Sequence, residues 1–229
     1  MTTRCNGTRL PPSSSPGNPH PPFIPIHFVY HSTNTNLDHR HETTARTMSW
    51  VILELSRHPE MQTRLQAEVD SAVEKAGGLA RMTFADFYHL NYVANCINEA
   101  LRLWPVVPNG QWRKMDEDMA ICGVLIPKGT TVVFPQLHVH HDKAIWGQDA
   151  DRYNPGRKWH HEAFFPFGVS PRDCLGRNIA MLEMRVALVS LFHLFTSRLA
   201  FPDAPVEEFA GATMFPKNGV HIFLEKRIH

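Results

Sequence analysis

The chain has 229 residues, a hydrophobic share of 43% and a net charge of +1 from 23 basic and 22 acidic side chains. That length allows one large domain or two small ones, and that hydrophobic share is ample for a globular core. The near balance of charge gives no electrostatic basis for nucleic acid or an anionic membrane as a partner.

Residues 1 to about 38 differ from the rest: Pro11 to Pro25 is dense in Pro and Ser, and Thr33 to Asn36 is polar without a period. Such composition offers little apolar surface to offset ordering entropy. A poorly ordered leader over residues 1–40 is therefore expected, ahead of a folded domain over 41–229. Phe23 to Tyr30 is a candidate strand inside the leader, without an obvious partner. Met1 to Leu10 has no apolar core of a secretory signal, and no run approaches the ~18 apolar residues of a membrane span, so neither a signal nor an anchor is expected in this chain.

From Glu42 the period becomes helical, with Ala45, Met48, Ile52 and Leu55 at three- and four-residue steps. Pro59 ends that helix and can open the next, which carries Met61, Leu65, Val69 and Val73 and stops at Gly77-Gly78. Thr83 with Asp86 has the spacing of a capping box. Tyr92 to Leu103 is a further helix, closed by Pro105. Residues 120–134 read as strand, turn, strand, with Ile126-Pro127-Lys128-Gly129 as the turn. A short helix is expected around Gln136 to Trp146, a loop from Asp149 to Val169, a long helix from Leu175 to Leu199, and a last strand at Val220 to Leu224. The fold class is thus mainly α with a small β element.

The four cysteines, Cys5, Cys96, Cys122 and Cys174, show no paired spacing. A disulfide framework is not expected, and a reducing compartment is. Cys174 stands where the loop enters the long helix, so free backbone N–H groups and the helix dipole favour a thiolate there. Arg172 adds positive charge beside it and can pair with an acidic cofactor group. Alternatives from the residues alone are a buried small hydrophobe, or a nucleophile served by one of the 15 histidines. Structural zinc needs about four ligands in short pair spacings, and no second cysteine lies near. The stretches His138 to His141 and His160-His161 supply no convergent metal set.

The run Phe167-Gly168-Val169-Ser170-Pro171-Arg172-Asp173-Cys174-Leu175-Gly176 resembles the haem-binding loop of the cytochrome P450 family: Phe-Gly, Arg two before Cys, Gly two after. Ala180 and Glu183 fall where the family's next helix carries Ala and Glu, and Ser170 stands where Gly is usual. The resemblance implies the haem-proximal, C-terminal half of that fold, haem b as cofactor, and the Cys174 thiolate as the iron's axial ligand. Phe167, Gly168, Arg172 and Gly176 would shape the loop around the haem. Arg113 lies near the place of a family Arg that binds a haem propionate, one residue out of step.

Two further segments carry the likeness. Glu99 and Arg102, three apart on one helix face just before Leu103-Trp104-Pro105, resemble the family's Glu-x-x-Arg pair. Arg157, in Asn154-Pro155-Gly156-Arg157, matches the third member of that structural triad, with Gly156 and Tyr153 where the family often has an acid and Phe. His140 to Trp159 resembles the segment between the strands and the haem loop, which is short here between Arg157 and Phe167. His41-Glu42-Thr43-Thr44 resembles the turn of the central helix beside bound oxygen, which would make Glu42 a proton relay and Thr43 a hydrogen-bond donor to the oxygen. The plain alternative is a helix start capped by Thr43 or Thr44.

The resemblance begins at about His41, with His39-Arg40 where the family has Ala-Gly, two large side chains that should clash with the haem or displace the helix. It implies a monooxygenase that inserts one atom of O2 into a small hydrophobic organic substrate, with electrons from NADPH through a reductase. It also implies the cytosolic face of the endoplasmic reticulum, where eukaryotic relatives sit, or the cytosol if no anchor is present. The alternative is a truncated chain that binds haem weakly, or serves only as a binding protein, without turnover.

Overall fold

The computed structural model describes residues 39–229 apart from residue 170. The expected disordered leader and the candidate strand at Phe23 to Tyr30 lie outside the described residues. In chain order the helices are α1 (His39–Arg57), α2 (Pro59–Ala76), α3 (Phe84–Tyr88), α4 (Asn91–Leu103), α5 (Gln136–His141), α6 (Lys143–Trp146) and α7 (Arg177–Leu194). The strands are β1 (Gln111–Lys114), β2 (Met119–Ile121), β3 (Val124–Ile126), β4 (Thr131–Phe134), β5 (Phe195–Leu199), β6 (Glu208–Ala210), β7 (Met214–Pro216) and β8 (Ile222–Lys226). They pair antiparallel as β1–β4, β2–β3, β5–β8 and β6–β7. No helix among the described residues is long and apolar enough to cross a membrane.

The core lies where α1, α2, α4 and α7 meet. Val51 and Leu55 from α1, Leu65 and Val69 from α2, Val93, Ile97 and Ala100 from α4, and Met184, Leu188 and Phe192 from α7 are all buried there. Each set recurs at helical spacing, so each helix turns one apolar stripe inward. Trp50 stacks on Trp104 at 4.3 Å, and Trp104 Nε1 donates to Glu54 Oε1 at 3.0 Å, which fixes the end of α4 against α1. Buried Gln62 on α2 donates to the Leu55 and Ser197 carbonyls at 2.9 Å and accepts from Ser197 N–H at 2.8 Å. One side chain thus satisfies backbone of both α1 and β5, as burial requires.

Several expectations hold locally. Pro59 opens α2, Gly77 closes it at φ 76°, and the Thr83 N–H donates to Asp86 Oδ2 at 2.7 Å in a capping box. Others are corrected. The long helix does not reach Leu199: it ends at Leu194, and Phe195–Leu199 forms β5 in register with β8, where β-branched Thr196 and aromatic Phe195 suit a pleated surface. Its buried stripe runs through Met184, Leu188, Val189 and Phe192, whereas Ile179 and Leu194 are exposed. The expected turn at Ile126 to Gly129 is present, with Gly129 at φ 86° and the Thr130 N–H on the Pro127 carbonyl at 3.2 Å, but the two strands it joins do not pair with each other. β3 pairs with β2 around Cys122 and Gly123, whose φ of 52° and 80° make the two-residue turn, and β4 pairs with β1. α1 begins before Glu42, so Thr43 and Thr44 lie inside it and cap nothing.

Candidate functional site

The loop before α7 is folded back on itself. Gly168 N–H donates to the Phe165 carbonyl at 2.9 Å, and Cys174 N–H donates to the Phe167 carbonyl at 2.7 Å. Gly168 has φ +82°, which favours glycine for the turn, and a Cβ there would lie 1.9 Å from Gln111 Nε2 and displace that amide. Gln111 Nε2 donates to the Arg172 carbonyl at 2.8 Å, and Gln111 Oε1 accepts from Arg113 Nη2 at 2.9 Å. β1 therefore holds the Cys174 loop and Arg113 in one hydrogen-bonded chain. Arg177 lies over the Phe167 ring at 5.5 Å and pairs with Asp173 at 3.6 Å. Gly176 is the residue immediately before α7, and Cys174 itself is exposed.

Exposed apolar side chains precede and follow the thiol in the chain: Val169 is 43% exposed on the loop, Leu175 101% and, on α7, Ile179 65%. An exposed thiol at a helix entrance, exposed apolar side chains from two elements and the cations of Arg113 and Arg172 together suit a flat, largely apolar, dianionic macrocycle. The donor set thus fits the haem that the resemblance implies.

Glu99 and Arg102 on α4 are both wholly buried. Arg102 Nε and Nη2 donate to the two carboxylate oxygens of Glu99 at 2.9 Å each, a bidentate pair. Arg157 Nε and the Asn154 N–H donate to Glu99 Oε1 at 3.0 Å. Arg102 Nη1 continues to the His140 carbonyl at 2.6 Å and Nη2 to the Arg152 carbonyl at 3.2 Å. Burial opposes the Arg157 charge, but its bonds to Asp149 and Glu99 outweigh that and raise it above the ordinary arginine value. The Arg157 bond in turn lowers the Asp149 carboxyl.

On α1, Glu42 forms an ion pair with Arg46 and accepts from Thr213 Oγ1 at 3.3 Å. Arg46 lies over the Phe215 ring at 4.0 Å. Thr43 is exposed, and its carbonyl accepts from Thr47 Oγ1 at 2.8 Å. Thr213, on the turn between β6 and β7, was not singled out by the sequence reading of Glu42 and Thr43. No hydrogen bond among the described residues joins the Thr43 side chain to the Cys174 loop. The His39 and Arg40 side chains lie outside the described residues.

The His-rich stretches build no metal centre among the described residues. Among the described residues the one group with ligand-type spacing is Asp70, His193 and His229, within 4.8 Å of one another. Arg227 donates to both Asp70 oxygens at 3.0 and 2.6 Å, which makes this a clasp between α2 and the residues that follow β8. Burial opposes the Asp70 charge, and the bonds from Arg227 and His193 outweigh it and hold the carboxyl below its ordinary value.

Sequence reasoning did not single out Gln111, Gln136 or His140 as site-building residues. Gln111 lies in no motif, and a polar residue on a short strand carries no signal of its own. His140 was visible only as part of a segment likeness and of the His138 to His141 stretch.

The helical core bears a Glu–Arg–Arg cluster and is followed by a Cys loop at a helix entrance, the two features on which the family resemblance rests. The Cytochrome P450 family model matches residues 40–223, and the chain belongs to that family. Among curated relatives, Cytochrome P450 monooxygenase sphH of Aspergillus fumigatus is 38% identical over 197 residues, covering 79% of this chain and 35% of that protein. Cytochrome P450 72A397 of Kalopanax septemlobus is 33% identical over 195 residues, with 81% and 36% covered. Secologanin synthase 2 of Catharanthus roseus is 33% identical over 193 residues, with the same shares. The chain spans about a third of the length of the curated relatives it matches.

Proposed function

We propose that the chain forms the haem-thiolate part of a cytochrome P450 monooxygenase, with Cys174 Sγ as the axial ligand of haem b. The observation that carries this is the loop geometry: an exposed thiol, held by its own N–H on the Phe167 carbonyl, at the foot of α7 beside exposed Leu175 and Ile179. When bound, the haem supplies the oxygen-activating chemistry, favoured by electron donation from a thiolate.

The chain's own residues have four tasks in this reading. Cys174 presents its sulfur, and the turn at Gly168 leaves room for the Gln111 amide that holds the loop. Arg113 and Arg172 lie on the same hydrogen-bonded strand and loop and offer positive charge to the haem carboxylates. Glu99, Arg102 and Arg157 hold the protein behind the loop. Glu42 would pass protons from solvent, and Thr43, exposed on the same turn of α1, would present a hydroxyl to the oxygen. The substrate class is a small hydrophobic organic molecule, the electron source NADPH through a reductase, and the place of action the cytosolic face of the endoplasmic reticulum.

A second reading is favoured by one observation: Glu42 is engaged by Arg46 and Thr213. A chain so arranged would bind haem through Cys174 without sustained turnover. Reconstitution with haem, followed by the reduced, carbon-monoxide-bound spectrum beside Cys174→Ala, tests the shared claim. The expected result is a red-shifted Soret band that the substitution abolishes, and a band indifferent to the substitution contradicts both readings. Turnover with NADPH and reductase then separates them.

A further inference from the structure

Helix α5 carries two buried polar side chains one turn apart, Gln136 and His140, exposed by 2% and 0%. Both reach the same residue at the entry of the Cys174 loop. Gln136 Nε2 donates to the Phe165 carbonyl at 2.7 Å, and the Phe165 N–H donates to His140 Nε2 at 3.2 Å. Their i, i+4 spacing puts them on one helix face, so one short helix grips both backbone groups of one loop residue.

The imidazole is in the state this grip needs. Because Nε2 accepts, the ring proton sits on Nδ1 and the ring is neutral. Burial first, and the Arg102 charge second, push His140 down to about 3, and the nearby Leu101 and Arg102 backbone offsets only part of that. The ring is enclosed by Trp146, Phe164 and Phe165 at centroid distances of 6.5, 5.5 and 5.2 Å.

The helix is itself anchored. Arg102 Nη1 donates to the His140 carbonyl at 2.6 Å, His141 Nε2 bonds the Leu103 carbonyl at 2.8 Å, and Leu137 N–H donates to the Pro108 carbonyl at 3.0 Å. On the loop side, the Phe165 carbonyl also accepts from Gly168 N–H, and the Phe167 carbonyl accepts from Cys174 N–H. A continuous path of short bonds thus runs from the buried Glu99–Arg102 pair through α5 to the loop that carries the thiol.

We propose that Gln136 and His140 are positioning residues, a two-pronged clamp on Phe165 that transmits the rigidity of the buried triad to the Cys174 thiol. The functional meaning of the clamp rests on Cys174 as the haem ligand, and the clamp itself is a property of the protein alone. The need for it is physical. Cys174 and Leu175 are exposed and make few contacts of their own, while a ligand atom must be held to within about 0.5 Å to serve its site.

The test uses amide hydrogen exchange on the haem-free chain and the carbon-monoxide-bound spectrum on the haem-loaded chain. His140→Phe fills the aromatic cage but removes the acceptor, and Gln136→Met keeps the length but removes the donor. Each is expected to speed exchange of the amides from Phe165 to Cys174 by about tenfold, the loss of one hydrogen bond of typical net strength, while the α1 and α2 amides hold their rates. His140→Gln, which regains an acceptor oxygen, restores part of the protection. In the haem-loaded chain both clamp variants move part of the Soret band from the thiolate to the thiol position. Unchanged loop exchange in both variants overturns the proposal, as does an equal rise throughout α1 and α2. If Cys174→Ala leaves the spectrum unaltered while the clamp variants still loosen the loop, the ligand reading fails and the clamp stands.

Discussion

The Glu99–Arg102–Arg157 cluster and the Cys174 loop both carry the polar chemistry of the chain, in opposite settings. Glu99 and Arg102 are wholly buried, and each guanidinium nitrogen of Arg102 has an acceptor. Cys174 is exposed, and Leu175 and Ile179 beside it turn apolar side chains to solvent. The buried cluster is finished by protein alone and its role is to hold. The loop presents an exposed thiol with exposed apolar side chains near it in the chain, and in the proposed reading its role is to receive. A buried charge cluster is sensitive to any single deletion, whereas an exposed loop tolerates substitution in stability and is sensitive in binding. The two regions should therefore separate under mutation.

The largest effect expected is at the cluster. Glu99→Ala leaves Arg102 buried without its carboxylate and should cost about 3–5 kcal/mol, enough to abolish cooperative unfolding in a denaturant titration. A cost under about 1 kcal/mol would mean that the cluster is not what holds this core.

Next comes acid sensitivity at His140, whose folded value is about 3 against an ordinary 6.5. Between those values the unfolded chain binds a proton that the folded chain does not. Stability is therefore retained above about 6.5 and falls as pH drops from there towards 3. His140→Phe should flatten this part of the stability–pH profile. An unchanged slope would assign the acid loss elsewhere.

A smaller effect is expected at Tyr153, whose hydroxyl donates to the Cys96 carbonyl at 2.9 Å inside the core. Tyr153→Phe removes that bond, keeps the ring and should cost about 1 kcal/mol by denaturant midpoint. The smallest is at the loop: Leu175→Ser should leave stability within about 0.5 kcal/mol while weakening haem uptake measured by Soret titration. A large stability loss there would erase the contrast between the two regions.

How much was legible in the sequence follows from the range of each interaction. Helices α1, α2 and α4 announce themselves by apolar period, proline starts and glycine stops, all local signals. The Glu99–Arg102 pair is also local, being three residues apart on one helix. Arg157, 58 residues from Glu99, could be placed only by likeness, because spacing gives no sign of such a meeting. Strand pairing was not legible for the same reason. The β1–β4 ladder joins Gln111 to Phe134 across the β2–β3 hairpin, and no rule of local turn chemistry selects that partner over β3. Helix α7 was over-extended because Phe195 to Leu199 contains no Gly or Pro to stop a helix, and only pairing with β8 makes it a strand. The Gln136–His140 clamp was unreadable because its target is a backbone group 25 and 29 residues away.

The central claim is that Cys174 sulfur binds the iron of a haem held at the foot of α7. X-ray absorption at the iron edge of the haem-loaded chain reads the atoms around the metal without requiring turnover. The account predicts one sulfur neighbour in the wild-type chain, lost in Cys174→Ala. Iron surrounded only by nitrogen and oxygen in the wild type, or a sulfur that survives the substitution, would contradict it.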